Sequence, residues 1–134
     1  MVPRVSSERR DYIPIGFLGP DTLCSDATLI IPDTTLYHFG VLHCAMHIAW
    51  VRYVCGRLKS DYRYSAQIVY NNFPWPGITA PVGTNDAATA HAAELRAAIE
   101  QAAQAVLDAR AGFPAATLAP VSYTHLTLPT NREV

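Results

Sequence analysis

Short apolar runs bounded by turn residues open the chain, and long helical periodicities follow. Residues 12–18 (Tyr-Ile-Pro-Ile-Gly-Phe-Leu) and 27–31 (Ala-Thr-Leu-Ile-Ile) predict two short strands. Pro14 restricts the first to an edge or bulged position, and Gly19-Pro20-Asp21 makes the turn after it. Pro32 ends the second. Asp33 or Thr34 then offers an N-cap for a long helix running to about Cys55, with Gly56 as its stop. In it Leu36, Phe39, Leu42, Met46, Ala49, Trp50 and Tyr53 recur at three- and four-residue spacing, while Val41, Ala45, Ile48 and Val51 fill much of the remaining circumference. A helix that is apolar nearly all round has to be covered by other structure. Gly40 within it predicts close packing, at a helix cost of about 1 kcal/mol relative to alanine.

Prolines from Pro74 to Pro81 mark a boundary, and a second helix is predicted from near Ala87 to Arg110, stopped by Gly112 and Pro114. Its stripe is Leu95, Ile99, Ala102, Val106 and Ala109. One such helix cannot hide its stripe alone and needs partners. The expected fold class is therefore an α+β fragment: short strands, a long buried helix, then an amphipathic helix of a truncated helical bundle.

Between the helices lies Gly56-Arg57-Leu58-Lys59-Ser60-Asp61-Tyr62-Arg63-Tyr64-Ser65. Read as extended backbone, it places Lys59, Asp61 and Arg63 on one side and Tyr62 and Tyr64 on the other. A cation, anion and cation backed by aromatics match a G·C edge, where lysine donates to guanine acceptors and aspartate accepts from the cytosine amino group. Phosphates would repel Asp61, so its place in a basic strip calls for a donor. The competing reading is a solvated loop held by salt bridges.

Charge narrows this further. The 134 residues, half of them hydrophobic, suffice for one small domain. A net charge of -1 and a pI near 6.5 exclude nucleic-acid binding by bulk electrostatics. Any DNA contact must be local, and between Arg52 and Arg63 the cations Arg52, Arg57, Lys59 and Arg63 face the single carboxylate of Asp61. Ser6-Ser7-Glu8-Arg9-Arg10 offers hydroxyls and guanidinium groups to phosphate, or equally forms a polar turn before a strand.

Other constellations carry no chemistry. Cys24, Cys44 and Cys55 form no paired framework, which fits reduced thiols in a cytosolic protein. His38, His43, His47 and Arg52 make the apolar run from Leu36 to Cys55 a buried helix rather than a membrane span. His43 and His47 lack the glutamate of H-E-x-x-H and further ligands at metal spacing, so they are core or interface histidines and no metal is assigned. Asn71-Asn72-Phe73-Pro74-Trp75-Pro76 has the wrong residue order for an amino-methyltransferase signature, and its aromatics are expected to plug a core. With no F-x-G-x-G loop, P-loop or nuclease signature, the chain has no catalytic residue and no cofactor of its own.

Taken in order, V-S-S-E-R-R-D-Y-I-P-I-G-F-L, S-D-A-T-L-I-I-P, T-L-Y-H-F-G-V-L, M-H-I-A-W-V-R-Y-V-C-G-R-L-K-S-D-Y-R-Y-S and V-Y-N-N-F-P-W-P resemble the C-terminal part of MmeI-like (type IIL) restriction-modification enzymes. The resemblance covers about residues 3 to 120. It implies a cytoplasmic bacterial parent chain joining nuclease, adenine-N6 DNA methyltransferase and target-recognition domains, with S-adenosylmethionine and magnesium used upstream and double-stranded DNA as partner. Residues 1–76 would end the target-recognition domain and 77–120 would begin a C-terminal helical domain. By the same resemblance, Lys59 and Asp61 read the base pair beside the methylated adenine; lysine and aspartate go with G on the methylated strand, glutamate and arginine with C. Ala27 and Arg63 are implied for the pair before the adenine. Arg57 and Arg9 are expected on the DNA backbone. The alternatives are the recognition module of a methylation-only enzyme and a helical protein-interaction module. Residues 121–134, beginning Val-Ser-Tyr-Thr-His-Leu-Thr-Leu-Pro-Thr, resemble the translation of a transposon-end sequencing adapter and are set aside, so the natural continuation after Pro120 is expected to be missing.

Overall fold

The computed structural model describes residues 1–77 and 86–113. The expectations for Pro81, Pro114 and residues 121–134 lie outside them. In chain order the elements are β1 (Val2–Pro3), β2 (Val5–Ser6), β3 (Thr28–Leu29), α1 (Leu36–Leu42), α2 (Ala45–Val54), β4 (Gly56–Leu58), β5 (Asp61–Arg63), a single π-helical turn (Ala66–Tyr70) and α3 (Asp86–Ala111). The fold is mixed α+β, with short strands and a long C-terminal helix. Among the described residues no helix is long and apolar enough to cross a membrane.

The N-terminal strand bends at Arg4 and serves two small antiparallel sheets. β1 pairs with β3, whereas β2 pairs with β5, which in turn pairs with β4. At the corner the Arg4 amide donates to the Ala27 carbonyl at 2.9 Å, and the Arg4 carbonyl accepts from the Tyr64 amide at 2.7 Å. The expected strand over residues 27–31 is thus realised as its central pair. The one expected over 12–18 is not: Ile13, Pro14, Ile15 and Gly16 are buried but join no sheet. Their apolar side chains answer to core packing, and Pro14 has no amide to give a ladder.

The long helix is likewise two helices. Thr35 caps α1, and after His43 the backbone at Cys44 turns extended (ψ 159°), so Cys44 caps α2, its Sγ accepting from the His47 amide at 3.4 Å. Ring contacts explain the break. His43 stacks on Phe39 at 4.6 Å and on Tyr12 at 6.1 Å, and its Nε2 lies 2.7 Å from Arg110 Nη2. Splitting the helix leaves Met46 and Tyr53 exposed, so α2 is not apolar-buried all round. Gly56 does not stop the helix with a left-handed turn; Cys55 is extended and Gly56 opens β4 directly.

α3 matches its expected extent, but its packed face is rotated. Ile99, Ala103, Val106, Leu107 and Arg110 face the core, while Leu95, Ala102 and Ala109 are exposed. The rotation follows from Gly40, which sits at the α1–α3 crossing: a Cβ there would meet Ile99 Cγ2 at 2.7 Å, the Ile99 carbonyl oxygen at 3.0 Å and Ala103 Cβ at 3.3 Å. Gly40→Ala gains about 1 kcal/mol in helix propensity and loses about 1–3 kcal/mol to overpacking against backbone that cannot yield. A lower midpoint in urea unfolding is expected; a higher one would contradict the close crossing.

The aromatics of residues 70–75 plug the core as expected. Phe73 is buried, meeting His47 edge-on at 5.0 Å and Trp75 at 5.7 Å, while Trp50 Nε1 donates to the Val69 carbonyl at 3.0 Å.

Candidate nucleic-acid interface

β4 and β5 form a hairpin in which Leu58 opposes Asp61, so Lys59 and Ser60 are its two-residue turn. Lys59 has φ 57°, the left-handed region, and Ser60 does not. Positive φ at the first of two turn residues is the pattern of the type II′ turn, whose twist suits a hairpin and which ordinarily takes glycine there. A ten-residue extended comb is therefore corrected. Asp61 and Arg63 do share a strand face, but Lys59 stands at the tip of the hairpin rather than in line with them.

The other face anchors the hairpin. Tyr62 and Tyr64 are 3% and 2% exposed, and the Tyr64 hydroxyl shares a 2.9 Å hydrogen bond with His47 Nε2 on α2. Burial raises the Tyr64 phenol above its ordinary value, with Tyr70 and Cys55 adding to it, so the hydroxyl stays protonated. Burial lowers His47 to about 4, an effect the Leu42 carbonyl partly offsets, and leaves the ring neutral. His43 is held still lower, at about 3, by burial and by the charge of Arg110 and the proximity of His47. His47 is fully buried and His43 partly so, in line with the expectation of core or interface histidines.

On the outer face Arg63 lies opposite both Val5 and Gly56. Here an open groove of about 920 Å³ runs between the hairpin and the turn before β3, lined by Arg4, Val5, Ala27, Leu58, Arg63 and Gln67 among others. Ala27 and Arg63, far apart in sequence, are brought together on this groove through the two backbone bonds of Arg4. Lys59 and Asp61 are not groove-lining but stand beside it on the hairpin. Lys59, Asp61 and Arg63 make no side-chain hydrogen bond or ion pair among the described residues.

Arg57 differs. Its Nη1 donates to the Ser60 carbonyl at 2.9 Å and lies 3.6 Å from Glu8 Oε2, and its guanidinium lies 4.3 Å above the Tyr62 ring. Arg9 is exposed in the turn after β2, its amide meeting Ser7 Oγ at 3.3 Å. Arg4, Asp26 and Gln67 also line the groove, and the sequence reading did not single them out. Arg4 sits beside a two-residue strand whose partners are remote, so no local periodicity marks it; Gln67 follows the comb closely enough to have been noticed.

No group of three or more His, Cys, Asp or Glu side chains among the described residues is placed to hold a metal ion.

The sequence profile of a family described as "MmeI, target recognition domain" matches residues 1–77. DNA methyltransferase A of Bacillus subtilis (strain 168) is 51% identical over 79 residues, 59% of this chain and 9% of the relative. Among solved structures, the type IIL restriction-modification enzyme MmeI in complex with DNA superposes with a TM-score of 0.77 at 41% identity, over 93% of this chain and 15% of that one. The chain thus spans a small part of each relative's length.

Proposed function

The chain belongs to the MmeI target recognition domain family, and on that premise we propose that it reads duplex DNA by direct contact, as part of a longer polypeptide that methylates adenine N6 and cleaves. Residues 1–76 are the recognition part and residues 77–120 begin a helical domain. S-adenosylmethionine and magnesium serve catalytic domains elsewhere in that polypeptide, in the bacterial cytoplasm, while this segment selects the sequence.

Lys59 donates to guanine O6 and N7, and Asp61 accepts from the amino group of the paired cytosine. Arg63, with the small Ala27 leaving room, takes a purine in the pair before the adenine. Arg9 meets the DNA backbone. The observation that carries this reading is the hairpin itself. Three charges of alternating sign stand on it without internal partners among the described residues, while Arg57, Arg96 and Arg110 all have them. The end of the hairpin from Leu58 to Asp61 extends beyond the pairing with β2 and is the part that a major groove about 12 Å wide would admit. The solved MmeI enzyme was captured in complex with DNA, which supports the same partner. α3, which would favour a protein-interaction module, packs its Ile99, Ala103, Val106 and Leu107 face within the chain, against α1 and the core, and Arg110 donates to the Ile15 carbonyl.

Lys59→Ala in the full-length enzyme tests the assignment. Discrimination at one base pair should fall by about tenfold or more, the equivalent of one good base contact, with overall binding weakened because Asp61 is left without its cation. An unchanged methylated motif would overturn the reading.

A further inference from the structure

We infer that Arg57 is a positioning residue for Lys59 and not a phosphate contact, an inference that rests on Lys59 and Asp61 being the base readers. An arginine at the foot of a basic hairpin ordinarily reads as a backbone clamp. Here it is held in place instead: Glu8 stands 3.6 Å from it at the surface, and its planar face lies on Tyr62, itself only 3% exposed and so a fixed platform. From that platform Nη1 reaches the carbonyl of Ser60 at 2.9 Å. Ser60 is the residue after Lys59, and fixing the direction of its carbonyl fixes the turn.

The turn needs that support. Lys59 holds φ 57° without being glycine, a backbone state that persists only where the surroundings impose it. A side chain that reads a base edge must be held to about 0.5 Å, and an untethered turn would let the ammonium swing between acceptors. Stacking and donating at once is a property of guanidinium; an ammonium at position 57 keeps the charge but loses the flat face and the fork.

Binding of the full-length enzyme to duplexes built from its methylated motif, varied at the pair read by Lys59 or at the pair read by Arg63, decides the matter. Wild type, Lys59→Ala, Arg57→Ala and Arg57→Lys are compared across a salt series. Both Arg57 variants are expected to lose about tenfold in discrimination at the Lys59 pair, to keep discrimination at the Arg63 pair, and to leave the salt dependence unchanged. If instead they bind all sequences more weakly by the same factor, with the slope of log affinity against log salt reduced by about 0.9 and restored in Arg57→Lys, Arg57 holds a phosphate and the inference is overturned. Loss of discrimination at both pairs together would mean a collapsed domain and also overturns it. Should Lys59→Ala itself leave discrimination intact, the base-reading proposal fails first, and Arg57 has nothing to position.

Discussion

Exchanging both reader charges, Lys59→Glu together with Asp61→Arg, should turn the accepted base pair from G·C to C·G at one position of the target and leave the other positions alone. The two substitutions mirror the donor and acceptor pattern: glutamate accepts from a cytosine amino group on the strand that had carried guanine, and arginine donates in bidentate fashion to the guanine now opposite. Each good contact is worth about 1–3 kcal/mol of discrimination. Because the exchange removes contacts to the old pair while creating contacts to the new, the preference should move by roughly 100-fold or more. Sequencing the methylated genome of cells carrying the double variant reads the result directly. An unaltered motif would refute the assignment. The fold should tolerate the exchange, since Lys59 is exposed at the turn, Asp61 beside it is only half-buried, and neither has an internal partner among the described residues.

Mild acid should cost more stability than any single substitution considered above. His43 and His47 are neutral in the folded chain, lowered to about 3 and about 4 from an ordinary value of 6.5, mainly because burial penalises the charged ring. The unfolded chain takes up protons as pH falls through 6.5 and the native chain does not, so the unfolded state binds more protons and stability declines with falling pH. Each histidine contributes up to about 1.4 kcal/mol per pH unit. The loss begins near pH 6.5 and ceases near 4 for His47 and near 3 for His43; above 6.5 neither contributes a slope. Between pH 7 and pH 5 the two should together remove about 2–4 kcal/mol. Urea unfolding at both pH values measures this, and His47→Gln, which keeps a polar partner for Tyr64 but does not titrate, should show roughly half the wild-type decline. Equal declines in the variant and the wild type would show that His47 is not buried in its neutral form.

How much of this was legible beforehand depends on the range of the interaction involved. α3 was readable in extent because helical periodicity is local; its facing residues were displaced because the choice of face lay with Gly40 on a different helix. The strand pairings were less accessible. β1 and β2 are two residues each, too short for any alternation to register, and their partners are β3 and β5 much later in the chain. The break at His43 and Cys44 was hidden for a related reason: it is imposed by Tyr12 and Arg110, both remote in sequence. At the interface, residue types identified Lys59, Asp61 and Arg63 as a charged set, but the assumed geometry was wrong at Lys59. Ser60 and Asp61 are turn-compatible, but Lys59-Ser60 lacks the glycine or asparagine that ordinarily marks a two-residue hairpin turn, so the tight turn at Lys59 was not legible.

The corner at Arg4 has an evolutionary consequence. It joins the strip bearing Ala27 to the strip bearing Arg63 by peptide groups alone, amide to carbonyl on one side and carbonyl to amide on the other. Peptide groups are common to nearly every residue, so the seam is blind to the letters written beside it. With positions 27, 59, 61 and 63 as the proposed readers, selection could redraw them for a new address on DNA while the frame carrying them is inherited intact.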